Sequence, residues 1–477
     1  MDHRHHKREY NKQLALLGVK FLHFIISVGL FYIFWMLFRY HHVTVTVREI
    51  GFRYNYFMVI AYAVILFFFN RTYNSYLFGY NRIRNMLFSE FLSQLFSLVV
   101  VYVIVSLSWA KWRNPTIFLL MLVLQLFLDL LCSYCGNWFY FRLYPPRKTL
   151  LIYRNLIDKR RFGSIKGKPS ERLYDIVEEF QYEGDSFMEI RHKLEGFEAI
   201  FVAGVNSRCR NGILKYCQER SIPGFFLPHI GDVIMQGAEH IQSFDSPVLY
   251  VNRKQVNPEY RIFKRIFDFV IALIFLLILS PAILVTALVV KLYDGGPALY
   301  KQTRTTKDGK SFKILKFRSM RVDAESDGIA RLSTGENDDR ITPVGRFIRK
   351  CRIDELPQLI NILKGDMSFV GPRPERPEIA EQYCEKLPDF QLRLQVKAGL
   401  TGYAQVYGRY NNDPYEKLEF DLLYINHMSI LTDIQIMFAT FEVLFSKEST
   451  AGITTGAITA MDYPVEEEAT EEAEEKG

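Results

Sequence analysis

The sequence predicts an α-helical membrane bundle combined with α/β structure, and three observations predict it. First, 49% of the 477 residues are hydrophobic and 15% aromatic while 23% are charged, so apolar and polar residues must be segregated along the chain. Second, long apolar runs fill the first part of the chain and another follows at Phe269–Val290. Third, short apolar runs of strand length, bounded by turn residues, lie between those two regions. On this reading residues 1–146 form a four-helix transmembrane region and 147–257 a small α/β domain. Residues 258–453 form an α-rich domain with its own apolar helix, and 454–477 an acidic, disordered tail.

The transmembrane runs are about Leu14–Phe38, Phe57–Phe69, Met86–Ala110 and Pro115–Phe141. Three reach the roughly 20 residues that a bilayer crossing needs; the second does so only by borrowing Gly51–Tyr56. No small-residue cleavage site follows the first run, so it reads as an anchor and not a removed signal peptide. Arg4, Lys7, Arg8 and Lys12 precede the first span, Arg71, Arg82 and Arg84 follow the second, and Arg142, Arg147 and Lys148 follow the fourth. Arg39, Arg48, Arg53, Lys111 and Arg113 occupy the other side, a modest bias that puts both ends of the bundle in the cytoplasm. Glu90 and Asp129 fall inside spans, where they mark a pathway, pair within the bundle or sit near an interface.

The six cysteines are scattered, and Cys132-x-x-Cys135 lacks a second pair of ligands, so they read as small apolar residues in a reducing compartment. His3-x-His5-His6 reads as a soluble cationic terminus open to adventitious metal. The formal charge is +7 although Glu466–Gly477 alone contains seven Glu and one Lys, so the rest of the chain is strongly basic. Such an excess suits an anionic membrane surface and phosphate substrates, with no nucleic acid implied.

In the middle region Thr149–Tyr153 and Ala199–Ala203 read as buried strands, Gly212–Arg220 as a helix and Ile222–Phe226 as another strand. A dinucleotide fold needs glycines straight after its first strand; here that turn is Arg154-Asn155-Leu156-Ile157-Asp158. The domain is therefore structural or regulatory, with an effector site left open.

The densest chemistry lies at Ile353-Asp354-Glu355-Leu356-Pro357-Gln358-Leu359 and Lys364-Gly365-Asp366-Met367-Ser368-Phe369-Val370-Gly371-Pro372-Arg373-Pro374. Two carboxylates open a helix whose apolar stripe is Leu356, Leu359, Ile360 and Leu363, with Gly365 at the C-cap position. Asp354 alone fits an N-cap and Glu355 a partner of the helix dipole. The pair among Arg349, Lys350, Arg352, Lys364 and Arg373 also fits phosphate chemistry on a metal-bound, multiply charged substrate.

Seven segments between about Tyr260 and Ile453 together resemble the bacterial sugar transferases, the polyprenyl-phosphate hexose-1-phosphate transferases that start cell-surface glycan assembly. They are Lys264-Arg265-Ile266-Phe267-Asp268, Ser280-Pro281, Gln302-Thr303-Arg304, Lys316-Phe317-Arg318-Ser319-Met320, Asp354-Glu355-Leu356-Pro357-Gln358-Leu359, Gly371-Pro372-Arg373-Pro374 and Lys397-Ala398-Gly399-Leu400-Thr401-Gly402. Each is weak alone; together, in the family's order and spacing, they are specific. The resemblance is to the large monotopic phosphoglycosyl transferases of exopolysaccharide, capsule and O-antigen biosynthesis.

The resemblance implies a degenerate Rossmann-like middle domain and a C-terminal catalytic domain with a re-entrant membrane helix, 264–292, broken at Ser280 and Pro281. A full fifth crossing would carry Asp354 outside the cell, away from nucleotide sugars. It implies Asp354 as the nucleophile that attacks the β-phosphate of a UDP-sugar, releases UMP and forms an acyl-phosphate, which undecaprenyl phosphate then takes up. Glu355 would coordinate metal with Asp354 or position the acceptor, and Mg²⁺ would screen the diphosphate. Arg349 would clamp the lipid phosphate, with Arg304, Lys316 and Arg318 as further phosphate contacts. Pro372, Arg373 and Pro374 would hold the nucleotide, joined by Gln405. Gln302, Lys364 and Asp366 occupy motif positions without an assigned role. The implied setting is the bacterial cytoplasmic membrane, multi-pass, with the catalytic domain facing the cytoplasm, membrane lipids around it, a homodimer, and glucose or galactose as the sugar.

This chain departs from the family at Thr306, where glycine is usual, at Gly408-Arg409-Tyr410 and at Asp413-Pro414-Tyr415. Segments near Phe390–Val396 and Tyr415–His427 are amphipathic and fit either a membrane interface or core packing. Two other classes make different demands on the sequence. A nucleotide-sugar dehydratase needs Tyr-x-x-x-Lys with a glycine-rich turn; Tyr144/Lys148, Tyr250/Lys254 and Tyr260/Lys264 have the spacing but no such turn. A scaffold or regulator of a polysaccharide-assembly complex would not need both Asp354 and Glu355.

Overall fold

Each of the four N-terminal apolar runs folds as one helix: α1 (His3–His42), α2 (Gly51–Thr72), α3 (Ile83–Ser108) and α4 (Thr116–Leu143). The second run does take in Gly51–Tyr56, and all four helices become long and apolar enough to cross a membrane. In this computed structural model the described residues are 3–42, 51–73, 75–80, 83–110, 112, 114–162, 172–241, 246–253, 258–321, 324, 340–408 and 413–444. The acidic tail, Arg409 and Tyr410 lie outside them. The chain divides into two units, Met1–Leu227 and Pro228–Gly477.

In the first unit the helices pack through an aromatic stripe, with Phe31, Trp35, Met58, Tyr62, Val101 and Met121 buried together. Leu17, Phe21, Phe57, Val64, Val123 and Phe127 point outward and are more than half exposed. Apolar side chains on both the inner and outer faces are the pattern of helices whose solvent is lipid, and the chain is a membrane protein.

A parallel sheet follows, in strand order β2-β1-β3-β4. Its elements are β1 (Arg147–Tyr153), α5 (Leu156–Phe162), β2 (Tyr174–Gln181), α6 (Phe187–Ile190), β3 (Ala199–Ala203), α7 (Ser207–Arg220) and β4 (Gly224–Phe226). Side chains alternate across the sheet. Leu150, Ile152, Ile200 and Val202 face Cys209, Ile213 and Cys217 of α7. Leu151, Tyr153, Ala199 and Phe201 face Phe78, Met86 and Tyr140 of the helical part. Helix α7 starts five residues before the expected Gly212, because Asn206 accepts a hydrogen bond from the Arg208 N–H at 2.9 Å and caps it there. Strand β4 begins after Pro223, since the Ile222 N–H is spent on the Cys217 carbonyl at the end of α7.

The second unit begins earlier than the expected boundary at 257. Its elements are α8 (Ile230–Gln236), the hairpin β5 (Glu239–Ile241) and β6 (Val248–Tyr250), α9 (Pro258–Asp294), the hairpin β7 (Leu299–Thr305) and β8 (Ser311–Phe317), α10 (Pro343–Lys350), α11 (Gln358–Lys364), β9 (Ser368–Val370), α12 (Pro377–Lys386), β10 (Gly399–Thr401), α13 (Tyr403–Tyr407), α14 (Pro414–Asn426) and α15 (Ile430–Leu444). Ile230 and Val233 of α8 enter its core beside Leu418, Leu422 and Ile425, and Asn426 donates to the Val233 carbonyl at 2.6 Å. Those contacts are why the boundary moves to Pro228. The amphipathic segments at 390–396 and 415–427 also turn inward, with Phe390, Leu418, Leu422 and Tyr424 at 2% exposure or less.

Helix α9 is pinned by the Lys264-Arg265-x-x-Asp268 motif. Lys264 pairs with Asp433 at 2.6 Å, and Asp268 accepts from the Ser368 hydroxyl at 2.7 Å and the Phe369 N–H at 3.2 Å. The Arg265 guanidinium donates to the Ile362 and Leu363 carbonyls at 2.6 and 2.7 Å, filling the donor-less C-terminus of α11. Ser280 and Pro281, where a break is expected, lie within α9, whose helical hydrogen bonding continues on both sides of them. Proline removes the N–H that would reach the Leu277 carbonyl, and the Ser280 hydroxyl donates to that same carbonyl at 2.8 Å.

Candidate active site

Asp354 and Glu355 sit in a single 3₁₀ turn, Ile353–Glu355, between α10 and α11. Thr342 and Pro343 start α10, with the Thr342 hydroxyl accepting from the Gly345 N–H at 2.9 Å. The chain then reverses through Arg352, whose φ of 56° is left-handed and costs a side-chain-bearing residue about 1–2 kcal/mol. Neither carboxylate caps a helix: the turn has no side-chain cap, and Pro357 precedes α11. Gly365 ends α11 at φ 90°, as its position suggested. The buried face of α11 is Leu359 and Ile362 rather than Leu359 and Ile360, because Asn361 turns toward β8. There its amide accepts from the Leu315 N–H at 3.0 Å and donates to the Lys313 carbonyl at 2.9 Å, locking the dyad's helix to a strand.

The two carboxylates differ sharply. Glu355 Oε1 lies 3.0 Å from Lys316 Nζ, 3.1 Å from Arg373 Nη2 and 3.7 Å from Arg352 Nη1. Although burial opposes ionisation, these three cations hold the Glu355 carboxyl well below the usual carboxylate range. Asp354 is 9% exposed and its Oδ1 has no hydrogen-bond partner. Burial, and then repulsion from Glu355, push its carboxyl up to about 6 against the pull of Lys316, Arg352 and Arg349. One acid is neutralised in place; the other is poised.

The segment that carries Arg373 is set by backbone packing. Strands β9 and β10 are parallel, with the Gly371 N–H on the Thr401 carbonyl and the Gly399 N–H on the Pro372 carbonyl, both at 2.9 Å. A Cβ on Gly371 would lie 2.3 Å from the Lys397 carbonyl oxygen and one on Gly399 2.2 Å from the Gly371 nitrogen, so only glycine fits at either. Arg393, 4% exposed, donates to the Arg373 carbonyl at 2.9 Å and to Asp421 at 2.8 Å. Glu375 lies 3.5 Å from Lys417 and 3.7 Å from Arg393, which outweigh its burial and take its carboxyl down to about 2. This buried scaffold of Glu375, Arg393, Lys417 and Asp421 was not singled out from the sequence, where it is scattered over some 50 positions. The one signal for it was a charged Arg393 inside the amphipathic segment Phe390–Val396.

The other sequence-derived residues divide. Arg304 donates to Gln302 at 2.7 Å and to the Pro374 carbonyl at 3.1 Å, bracing the same loop. Gln405 lies beside Gly402, which abuts the Gly371 carbonyl, and both its amide atoms are buried without partners. Asp366 accepts from Asn361 at 3.3 Å, and Lys364 is exposed. Arg318 goes elsewhere: it pairs with Asp294 at the end of α9 and closes on Gly296. Thr306, the departure from glycine, has φ −132°, so glycine is not required; its hydroxyl accepts from the Ala398 N–H and donates to the Asp366 carbonyl, each at 3.1 Å. Asp413-Pro414-Tyr415 caps α14, Asp413 accepting from the Glu416 N–H at 2.7 Å. The large cleft of about 1350 Å³ in this unit, lined by Tyr250, Tyr260, Phe263, Gln391 and Asn426, contains none of the candidate site residues.

The dyad lies within the region of the chain that matches known proteins. Residues 259–447 match the family described as "Bacterial sugar transferase". A "UDP-glucose:undecaprenyl-phosphate glucose-1-phosphate transferase" of Escherichia coli K12 is 44% identical over 211 residues, 43% of this chain and 43% of that protein. An Aeromonas hydrophila "UDP-N-acetylgalactosamine-undecaprenyl-phosphate N-acetylgalactosaminephosphotransferase" is 40% identical over 193 residues, 40% of this chain and 45% of that protein. The matched region is thus under half the length of either. A Caulobacter vibrioides "UDP-glucose:undecaprenyl-phosphate glucose-1-phosphate transferase" is 39% identical over 191 residues, 39% of this chain but 71% of that protein. The motif order, the dyad geometry and these matches agree, and the chain belongs to the bacterial sugar transferase family.

Proposed function

We propose that this protein transfers a hexose 1-phosphate from a UDP-sugar to undecaprenyl phosphate and releases UMP. The observation that carries the reading is the buried, unpartnered oxygen of Asp354 beside a Glu355 already held by three cations. Lys316, Arg349, Arg352 and Arg373 outnumber the two carboxylates, so the site has positive charge in excess for a diphosphate. In the reaction an Asp354 oxygen attacks the β-phosphorus as the bond to UMP breaks, and UMP leaves with the electron pair. A phosphate oxygen of the lipid then attacks the same phosphorus, which frees Asp354 and yields the polyprenyl-diphosphate-sugar. Two steps spare two anionic phosphates a direct collision. Arg373, whose carbonyl is braced by Arg393, would orient the nucleotide, and Arg349 would hold the lipid phosphate.

Asp354 Oδ1 and the second oxygen of Glu355 fit a Mg²⁺ ion, which takes one or two carboxylates together with substrate phosphate oxygens. When bound it would neutralise charge on the leaving UMP. Arg318, paired with Asp294, is better read as an anchor of α9 than as a phosphate contact.

The reading extends to the membrane. Both halves of α9 pack on the one unit: Ala272, Phe275 and Leu276 with Phe369, then Ile283, Ala287 and Val290 with Phe317, Ile348 and Ile353. Ile353 directly precedes Asp354, so the dyad rests on the helix that exposes Leu277, Ile278, Leu284 and Val285. This supports a re-entrant helix and a site at the height of a lipid phosphate, facing the cytoplasm. The parallel sheet of the first unit supports a degenerate Rossmann-like domain, in which Asp158 abuts Gly204 where a nucleotide phosphate would have to pass.

The test uses purified protein with Mg²⁺, undecaprenyl phosphate and UDP-glucose, UDP-galactose or UDP-N-acetylgalactosamine, following UMP. Release with one donor, lost by at least a thousandfold in folded Asp354→Asn, is expected. Equal release by Asp354→Asn would sink the nucleophile, and no UMP with any donor would bring the scaffold reading forward.

A further inference from the structure

We propose that His23, Glu90 and Asp129 form a divalent-cation site within the membrane helices, of the kind zinc occupies. The residues come from α1, α3 and α4, and are 3%, 2% and 0% exposed. Their ligand atoms lie within 4.8 Å of one another, the one such cluster among the described residues. Three hydrogen bonds already hold the cluster. Asp129 Oδ1 lies 2.9 Å from His23 Nε2 while its Oδ2 accepts from Gln94 at 2.5 Å, and Ser133 donates to Glu90 Oε2 at 3.2 Å.

What remains points to an ion. With the Nε2 proton given to Asp129, His23 Nδ1 presents a lone pair, and it faces Glu90 Oε1 at 3.7 Å. Neither atom has a hydrogen-bond partner, and neither does Gln94 Oε1. Two acceptors facing across a gap too long for a hydrogen bond are expensive in a lipid-embedded core. A cation between them satisfies both: at ligand distances of about 2.0–2.2 Å, that gap corresponds to an angle of roughly 125° at the ion, within the range of a distorted tetrahedral site.

Charge gives the same answer. Among the described residues neither carboxylate pairs with a lysine or arginine, so a bound divalent cation would supply the positive charge that the side chains around them do not. Asp129 would act as the carboxylate that orients a metal-binding histidine. An imidazole with carboxylate oxygens favours zinc over magnesium, which prefers all-oxygen shells. The site would staple α1, α3 and α4 of the first unit together.

The experiment uses full-length protein in detergent, with His3, His5 and His6 replaced by alanine in every version to remove terminal binding. After loading with Zn²⁺ and desalting, metal analysis should find about one more equivalent of zinc in the parent than in Glu90→Gln or His23→Ala. Glu90→His, which keeps a ligand, should retain it, and added Zn²⁺ but not Mg²⁺ should raise the parent's melting temperature. X-ray absorption of the parent alone should show a nitrogen–oxygen shell with imidazole scattering, a result that does not depend on any variant folding. Equal zinc in parent and Glu90→Gln, or a parent without bound zinc, would overturn the proposal and leave protons as what closes the cluster.

Discussion

At the scale of single residues, the dyad makes a prediction about pH. Asp354 titrates near 6 in the folded protein, raised first by burial and then by Glu355, and must be ionised to attack. UMP release in a single turnover without lipid acceptor should therefore rise about tenfold per unit below pH 6 and level off above it. A flat profile between pH 5 and 7.5 would count against Asp354 as the titrating nucleophile. The same shift bears on stability. A carboxyl whose folded value is raised leaves folding unpenalised below the unfolded value near 4, and the cost develops as pH climbs through about 6. Asp354→Asn should thus be inactive yet more stable at pH 7.5, by about 2–3 kcal/mol, with the gain gone at pH 4. Melting curves at the two pH values decide it. The pair was legible in the sequence because motifs on either side of it resemble one family in order and spacing, not because two adjacent carboxylates are informative alone. Their unlike protonation was not, because it depends on Lys316 and Arg373 closing on Glu355 from distant positions.

At the scale of elements, the position of the dyad depends on α11, a helix of seven residues that would not persist alone. It is held at its C-terminal carbonyls by Arg265 and along its side by Asn361. Replacing Asn361 by Leu strands the Leu315 N–H and the Lys313 carbonyl in the interior, at about 1–3 kcal/mol for each buried group. The expected outcome is a lower melting temperature with kcat reduced more than KM for the donor, since the dyad moves while Arg373's loop stays braced by Arg393. An unchanged kcat in folded Asn361→Leu would mean that α11 does not position the site. The strands β1 and β3 were legible because they are buried on both faces and read as continuous apolar runs. Strand β2 was not, since this edge strand alternates, carries Asp175 and Glu179 on its exposed face, and has a third acid, Glu178, on the other. At Pro281 the missing backbone donor is supplied one residue away, by the Ser280 hydroxyl, a compensation that the proline alone does not announce.

At the scale of the whole molecule, the open matter is whether α9 crosses the bilayer. Its 37 residues are about 55 Å long at 1.5 Å per residue, ample for a core about 30 Å thick, and its composition also permits crossing. Packing argues otherwise. A crossing helix has protein at one end and lipid around its centre, whereas α9 is tied down at both ends to the same unit, by Lys264 to Asp433 and by Asp294 to Arg318. Between those anchors one face packs inward at Ala272 and Val290 while Leu277, Ile278, Leu284, Val285 and Leu288 are exposed by more than half. One apolar face against protein and one against lipid is what a helix lying in a single leaflet requires. A cysteine placed at Arg261 and another at Tyr293, both exposed, should therefore react with a membrane-impermeant maleimide from the same side of sealed vesicles. Peptide mass spectrometry distinguishes these sites from the exposed Cys135 and Cys351. Labelling from opposite faces would make α9 a fifth crossing, and would separate the dyad from the side on which the fourth helix ends. Labelling from one face keeps Asp354, seated on α9 through Ile353, where a water-borne nucleotide sugar and a membrane-bound phosphate can both reach it.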